Sequence, residues 1–81
     1  MAWVYILRGP GGRHYIGATR DLEARLLQHE RGSVHTTKRL GVPLEWVASA
    51  EFPDIKEAME VERRLKSWKN PGKAIDWLSS R

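Results

Sequence analysis

The chain has no cysteine and no long apolar segment. Without cysteine there is no disulfide framework, no thiolate zinc site and no cysteine nucleophile, although the redox compartment stays open. No segment approaches the roughly 20 consecutive apolar residues of a membrane span. The amino terminus also lacks the basic start, apolar stretch and small-residue cleavage site of a signal peptide. We therefore expect a soluble, cytoplasmic protein that does not associate with membranes.

What is present is a short, basic chain. Its 81 residues provide enough surface to bury one thin core. We expect a single domain over residues 1–81 and, by default, a monomer. The formal net charge is +4 and the sequence pI is about 9.9, which favours partners that carry phosphate groups.

Three segments have the character of β-strands. Residues 3–7 are apolar at every position, which predicts a strand covered on both faces at the centre of the sheet. A turn rich in glycine and proline leads to a second strand over residues 13–19. If this turn has an odd number of residues, we expect Tyr5 and Tyr15 to lie directly opposite each other. Residues 44–52 predict a third strand, which would pair with the free edge of the first.

The first predicted helix carries two unusual residues on its inner face. Thr19 or Asp21 can cap it, and Gly32 supplies a left-handed stop after about residue 31. At about 100° per residue, Arg25 and His29 share one arc with two leucines. Because an unpaired buried guanidinium is costly, we expect a functional reason for its position.

The rest of the chain supplies one more anomaly. Residues 33–39 are polar and basic, which predicts a surface loop, and we expect Asp54 to cap a second helix that continues to about residue 69. Residues 70–72 should end that helix, and a short helix follows over residues 73–80. The apolar arc of the second helix also contains Glu62; its apolar members are Ile55, Ala58, Met59, Val61, Leu65 and Trp68. We expect Trp46 and Trp77 to lie in the core.

Together these residues resemble the GIY-YIG nuclease family, in particular its small single-domain bacterial members described as predicted endonucleases. The resemblance rests on Trp3-Val4-Tyr5, Tyr15-Ile16-Gly17, Asp21 to Arg25 with His29, and Glu62. It departs from the family pattern in two ways. Trp3 replaces the name-giving glycine, and the late asparagine of some members has only Asn70 as a counterpart.

The resemblance implies an α/β (α+β) fold, with a three-stranded antiparallel sheet flanked by three or four helices. It also implies metal-dependent hydrolysis of phosphodiester bonds in DNA, with Mg²⁺ or Mn²⁺ as cofactor. The implied roles are as follows: Tyr5 and Tyr15 line the site, Arg25 binds the scissile phosphate, His29 belongs to the site, Glu62 holds the cation, and Gly17 lets the phosphate backbone approach.

These residue types suit that chemistry. The planar guanidinium of Arg25 fits the non-bridging oxygens of a phosphate better than a lysine would. A cation at Glu62 stabilises charge on the leaving 3′-oxygen. The base that activates water is either Tyr5 or His29, and the sequence leaves this choice open.

Simpler roles exist for each residue. The two tyrosines could be core aromatics, and Arg25 could be a salt-bridged helix residue. Glu62 could form an i,i+4 pair with Lys66, and His29 could interact with the end of its helix. The basic residues could follow DNA phosphates or be solvated; they are Lys38, Arg39, Lys66 and Lys69.

Three functional hypotheses follow. The first is a metal-dependent DNA endonuclease, with which a structure-selective role in DNA repair or recombination is compatible. The second is a catalytically inactive nucleic-acid binding module on the same fold. The third is a protein-interaction adaptor.

Overall fold

The computed structural model describes residues 1–31, 41 and 44–81. Its three strands are β1 (Ala2–Arg8), β2 (His14–Thr19) and β3 (Glu45–Phe52). Its three helices are α1 (Leu22–Glu30), α2 (Ile55–Ser67) and α3 (Pro71–Ser79). The predictions made for Gly32, for the loop at residues 33–39 and for its Lys38 and Arg39 lie outside the described residues. None of the helices in the described part has the length and apolar character needed to cross a bilayer.

The strands form one antiparallel sheet in the order β2-β1-β3. The apolar first strand therefore occupies the centre, as predicted, and β3 pairs with its second edge. Val4, Tyr5, Ile6 and Leu7 are all buried, which is why this strand has no polar face. The predicted fold class, a three-stranded antiparallel sheet with packed helices, is confirmed.

The two faces of the sheet have different partners. The face that carries Val4 and Ile6 packs against α2 and α3 and forms the hydrophobic core. The opposite face carries Tyr5, which meets His29 of α1. The larger core thus lies on one side of the sheet, and the polar residues of α1 lie on the other.

The prediction that Tyr5 lies directly opposite Tyr15 is wrong, because the register of β1 against β2 differs from it by two residues. Tyr5 lies opposite Gly17, and Tyr15 lies opposite Leu7. The turn sets this register: Arg8 and His14 form the last pair, and the N–H of Gly9 donates to the carbonyl of Arg13 at 2.8 Å. The tyrosines still share a face, because residues two apart in a strand point the same way. They are diagonal neighbours rather than an opposed pair.

The prediction that residues 70–72 end the second helix is also wrong. The helix α2 ends at Ser67, and Lys69 adopts the left-handed conformation at φ 51°. Asn70 instead caps α3, since its Oδ1 accepts from the N–H of Lys73 at 3.0 Å. Pro71 occupies the first turn of α3, where a missing N–H costs nothing.

Two residues assigned to apolar positions are exposed. Trp46 is 42% exposed, and Met59 on α2 is 48% exposed. A register shift beside Ile6 and Leu7 places Trp46 opposite Leu7, on the face of α1. There it borders an open groove of about 490 Å³. Trp77, in contrast, packs against the core as expected.

Candidate active site

Two tyrosines and a histidine form an aromatic cluster between the sheet and α1. The ring centroids of Tyr5 and Tyr15 are 6.1 Å apart, and that of His29 lies 5.5 Å from Tyr5 and 5.2 Å from Tyr15. The Tyr5 hydroxyl is hydrogen-bonded to Nε2 of His29 at 2.8 Å. Tyr5 and His29 are buried, whereas Tyr15 is partly exposed. Tyr15 is therefore the member of the cluster that opens to solvent.

Gly17 leaves the space that the two phenols occupy. A Cβ atom on Gly17 would lie 2.5 Å from Oη and 2.6 Å from Cζ of Tyr5. It would also lie 2.9 Å from Cε2 of Tyr15. The resemblance assigned this space to an approaching phosphate backbone; that role stays a prediction, and in the structure the two phenols occupy the space. Any substituent here would displace the phenols before it met a substrate.

The local sequence sets the position of α1. Its N-cap is Asp21, whose Oδ1 accepts from the N–H of Ala24 at 3.1 Å. Thr19, the alternative cap, instead accepts from the N–H of Asp21 through Oγ1 at 3.1 Å. From this start, Arg25 and His29 lie one turn apart on the inner side, as predicted.

Arg25 lies at the edge of the cluster. The helix neighbour Gln28 accepts from its Nη1 through Oε1 at 3.0 Å. Interaction with the phenol of Tyr5, and to a lesser extent with that of Tyr15, raises the pKa of Arg25. The side chain is partly exposed, so the cluster carries a fixed positive charge at its surface.

The environment moves the pKa values of the two hydrogen-bonded residues in opposite directions. Burial raises the pKa of Tyr5 to about 12, against the opposing influence of Arg25. Burial, followed by the charge of Arg25, lowers the pKa of His29 to about 4. At neutral pH Tyr5 thus keeps its proton and His29 is uncharged. A neutral imidazole beside a phenol can accept a proton.

Glu62 lies on α2, and Lys66 links it to Tyr15. The carboxylate forms an i,i+4 ion pair in which its Oε2 lies 2.8 Å from Nζ of Lys66. The same ammonium group lies 6.0 Å from the centroid of the Tyr15 ring. The pair anticipated as the simpler role of Glu62 is therefore present, and it stands beside the open member of the aromatic cluster.

An open groove connects Tyr15 with the end of α2 and the start of α3. This groove, which we call the Tyr15 groove, encloses about 320 Å³ and is lined by His14, Tyr15, Ile16, Leu65, Lys66, Lys69, Asn70 and Pro71. Lys66 and Lys69, both assigned to substrate binding from the sequence, line it. His14 also lines the groove, beside residues from the end of α2 and the start of α3, so local sequence pattern alone could not place it there.

Glu62 is the candidate metal ligand. Among the described residues, no group of three or more histidine, cysteine or acidic side chains could hold a metal ion. The side chain of Glu62 is 20% exposed. Within the described part of the chain, water or phosphate oxygens would therefore have to fill most coordination positions of a hard cation at Glu62.

The antiparallel sheet and the helix α1 together bring two phenols, an imidazole and a guanidinium to one site, which suits a phosphate-bearing substrate. The chain belongs to the GIY-YIG family: the GIY-YIG catalytic domain matches residues 1–75. This is a family of nucleases, whose substrates are nucleic acids.

Bacterial relatives agree with this family membership. A protein named UPF0213 protein from Streptococcus pneumoniae is 35% identical over 72 residues, which cover 89% of this chain and 73% of the relative. A UPF0213 protein from Xanthomonas campestris is 35% identical over 77 residues, or 95% and 74% of the two chains. Another from Nitratidesulfovibrio vulgaris is 41% identical over 64 residues, or 79% and 58%. No solved structure matches the chain significantly.

Proposed function

We propose that the protein is a DNA endonuclease that depends on a divalent metal ion. The observation that carries this proposal is the position of the Tyr5 hydroxyl. It is hydrogen-bonded to a neutral imidazole, that of His29, and it also interacts with a guanidinium, that of Arg25. A proton acceptor and a phosphate-binding cation therefore meet at one hydroxyl group.

Arg25 is the residue proposed to bind the scissile phosphate. In-line attack on a phosphodiester increases the negative charge on the non-bridging oxygens. A guanidinium can donate two parallel hydrogen bonds to such a group. Because Arg25 is partly exposed and lies by both phenols, a phosphate bound to it would lie close to the aromatic cluster.

The buried Tyr5–His29 pair is proposed to accept the proton of the attacking water. The raised pKa of Tyr5 disfavours a free phenolate, whereas the pKa of His29, about 4, leaves the imidazole neutral at physiological pH and able to accept a proton, but as a weaker base than a free imidazole. Because Tyr5 is fully buried in the protein alone, this path requires the site to open when substrate binds. The water proton would then pass to Oη of Tyr5 while the phenolic proton passes to Nε2 of His29. This transfer requires the tautomer of His29 that carries its proton on Nδ1. His29 is then the final base, and Tyr5 connects it to the water.

Glu62 is proposed to hold the metal ion, Mg²⁺ or Mn²⁺. Mg²⁺ in phosphoryl-transfer sites is commonly bound by one or two carboxylates together with waters and substrate phosphates. The partly exposed carboxylate of Glu62, whose partner Lys66 lies over the Tyr15 ring, fits this ligand set. When bound, the ion supplies Lewis-acid stabilisation of charge on the leaving oxygen.

The Tyr15 groove is proposed to bind the phosphates that flank the cleaved bond. Lys66 and Lys69 line it, and their charges would attract the DNA backbone without reading its sequence. We infer a preference for DNA structure rather than DNA sequence, which suits a role in repair or recombination. Branched DNA is therefore the substrate to compare with plain duplex.

One experiment tests the proposal. Supercoiled plasmid and branched DNA are incubated with the protein, with and without Mg²⁺ or Mn²⁺, beside Glu62→Gln and Glu60→Gln. Glu60 is an exposed carboxylate on the same helix and serves as the matched control. We expect nicking only with metal, its loss in Glu62→Gln with DNA binding retained, and little change in Glu60→Gln.

The other outcomes identify the alternatives. DNA binding with a steep salt dependence but no nicking under any metal condition would support the inactive binding module. Weak DNA binding that does not depend on salt would support the protein-interaction adaptor. Equal nicking by Glu62→Gln and the unmodified protein would contradict the assignment of Glu62.

A further inference from the structure

Lys66 belongs to two neighbouring grooves. It lines the Tyr15 groove, where the flanking phosphates are proposed to bind. It also lines a second groove of about 170 Å³, formed with Met59, Glu62 and Arg63, which we call the Glu62 groove. The side chain therefore stands on the ridge between the proposed DNA track and the proposed metal ligand.

The ammonium group of Lys66 neutralises Glu62 in the protein alone. Its Nζ is 2.8 Å from Oε2 of Glu62 and 6.0 Å from the ring centroid of Tyr15. The Lys66 side chain is 52% exposed. Exposed i,i+4 pairs of this kind are weak and are screened by salt, so another anion can replace the carboxylate at little cost.

A metal ion and this ammonium group compete for the same carboxylate. Two cations next to one carboxylate repel each other, so a divalent ion binds Glu62 poorly while Nζ remains there. A DNA phosphate in the Tyr15 groove is a second anion within the range of the same flexible side chain. When Nζ pairs with that phosphate, Glu62 loses its competitor.

We propose that Lys66 is a positioning residue that couples DNA binding to metal binding. In the protein without DNA, Lys66 keeps Glu62 paired and holds metal affinity low. A bound DNA phosphate draws the ammonium away and opens Glu62 to the metal. By linkage, a metal ion at Glu62 releases Lys66 for the DNA by the same factor. This inference rests on the proposed function, since it takes Glu62 as the metal ligand and DNA as the substrate.

Metal binding to the protein without DNA provides the first test. Mn²⁺ is titrated into ¹⁵N-labelled protein, and paramagnetic broadening of the amide signals around Glu62 reports its occupancy. We expect Lys66→Gln to reach the same broadening at a roughly two- to threefold lower Mn²⁺ concentration, because the metal no longer has to displace an i,i+4 partner from Glu62. Arg63→Gln is the matched control, because Arg63 lines the Glu62 groove but makes no ion pair within the described residues. Its gain should be smaller.

DNA binding in the presence of EDTA provides the second test. Affinity for a fluorescent duplex is measured at several salt concentrations for the unmodified protein, Lys66→Gln and Lys56→Gln. Lys56 is an exposed lysine in the first turn of α2, outside both grooves. We expect Lys66→Gln to reduce the slope of log affinity against log salt by about one, and Lys56→Gln to leave it unchanged.

The outcomes separate this inference from the proposed function. If Glu62→Gln binds Mn²⁺ like the unmodified protein, Glu62 is not the ligand and the proposed metal site fails. If binding depends on Glu62 but Lys66→Gln gives no gain, or gives the same gain as Arg63→Gln, then only the role of Lys66 is overturned. If the salt slope of Lys66→Gln is unchanged, Lys66 does not pair with a DNA phosphate, and the proposed move of its ammonium group from Glu62 to the DNA is overturned.

Discussion

The hydroxyl of Tyr5 and Nε2 of His29 are 2.8 Å apart, although 24 positions separate the two residues in sequence. Both side chains are buried, at 0% and 2% exposure. Little water can therefore replace either partner if the other is removed. The pair stabilises the contact between β1 and α1 and also carries the proposed proton transfer.

Replacement of Tyr5 by Phe removes the hydroxyl group and keeps the aromatic ring, so it tests the two parts of the side chain separately. The ring can still pack over Gly17, but Nε2 of His29 loses its buried partner. We expect the free energy of unfolding to fall by about 1–3 kcal/mol. Nicking should fall by roughly 10²- to 10⁴-fold, the usual contribution of general base catalysis. Chemical denaturation and plasmid nicking measure the two effects.

Tyr15→Phe is the control for stability, because Tyr15 is partly exposed and should lose less. Cutting by Tyr5→Phe at the unmodified rate, in a folded protein, would contradict the proposed proton path.

Gly17→Ala tests whether this glycine serves the tyrosines. Its new Cβ would lie within 3 Å of both rings, at 2.5 Å from the Tyr5 hydroxyl oxygen. We expect a loss of about 1–3 kcal/mol from overpacking, with altered tyrosine signals in NMR spectra. Gly11→Ala is the control, since no atom lies within 4 Å of the added methyl group. Equal stability of Gly17→Ala and Gly11→Ala would show that the two tyrosine rings move aside at no cost in stability.

The neutral state of His29 makes stability depend on pH. The pKa of His29 is about 4 in the folded protein, below its ordinary 6.5, so between these values the unfolded chain binds more protons. The contribution of neutral His29 to the free energy of unfolding is therefore fully present above pH 6.5, and it is lost as the pH falls towards 4. We expect a loss of roughly 2–4 kcal/mol across this window.

His29→Gln isolates this effect, because an amide can hydrogen-bond to Tyr5 without titrating. Its urea denaturation curves at pH 7 and pH 4.5 should differ less than those of the unmodified protein. His14→Gln should keep the original difference. If His29→Gln keeps it as well, the pH dependence comes from other groups.

Arg25→Lys distinguishes a positive charge from a planar guanidinium. Lysine keeps the charge but loses the paired donors, so DNA affinity should change by less than about tenfold. Nicking should fall by roughly 10²-fold or more, because the contact strengthens as charge develops on the phosphate. Arg20→Lys, an exposed arginine before α1, should cut normally. An equal loss of binding and of cutting in Arg25→Lys would assign Arg25 to simple attraction.

Asn70 is predicted to act on stability as the cap of α3. Asn70→Ala should cost about 1 kcal/mol in thermal denaturation, because the N–H of Lys73 loses its acceptor. Asn70→Asp retains an acceptor and should recover most of that loss. If nicking falls in both variants while Asn70→Asp remains as stable as the original, Asn70 also takes part in the site.

Local pattern was sufficient for most of the fold. The unbroken apolar run of β1 required a central strand, and the spacing of Arg25 and His29 required a shared helix face. These features depend on residues within a few positions of one another, so periodicity and propensity determine them. The motif across these elements was also sufficient to identify the family.

Only the tertiary structure decided the register and the contacts. The same-face relation of Tyr5 and Tyr15 needs only an odd turn, but their diagonal placement depends on which residues close that turn. The role of Gly17 and the position of Lys66 over the Tyr15 ring depend on where whole elements cross. Sequence alone thus determined which side chains are candidates for the site. Packing between distant segments decided which of these side chains are in contact, because a change of two residues in strand register moves a side chain by several ångströms.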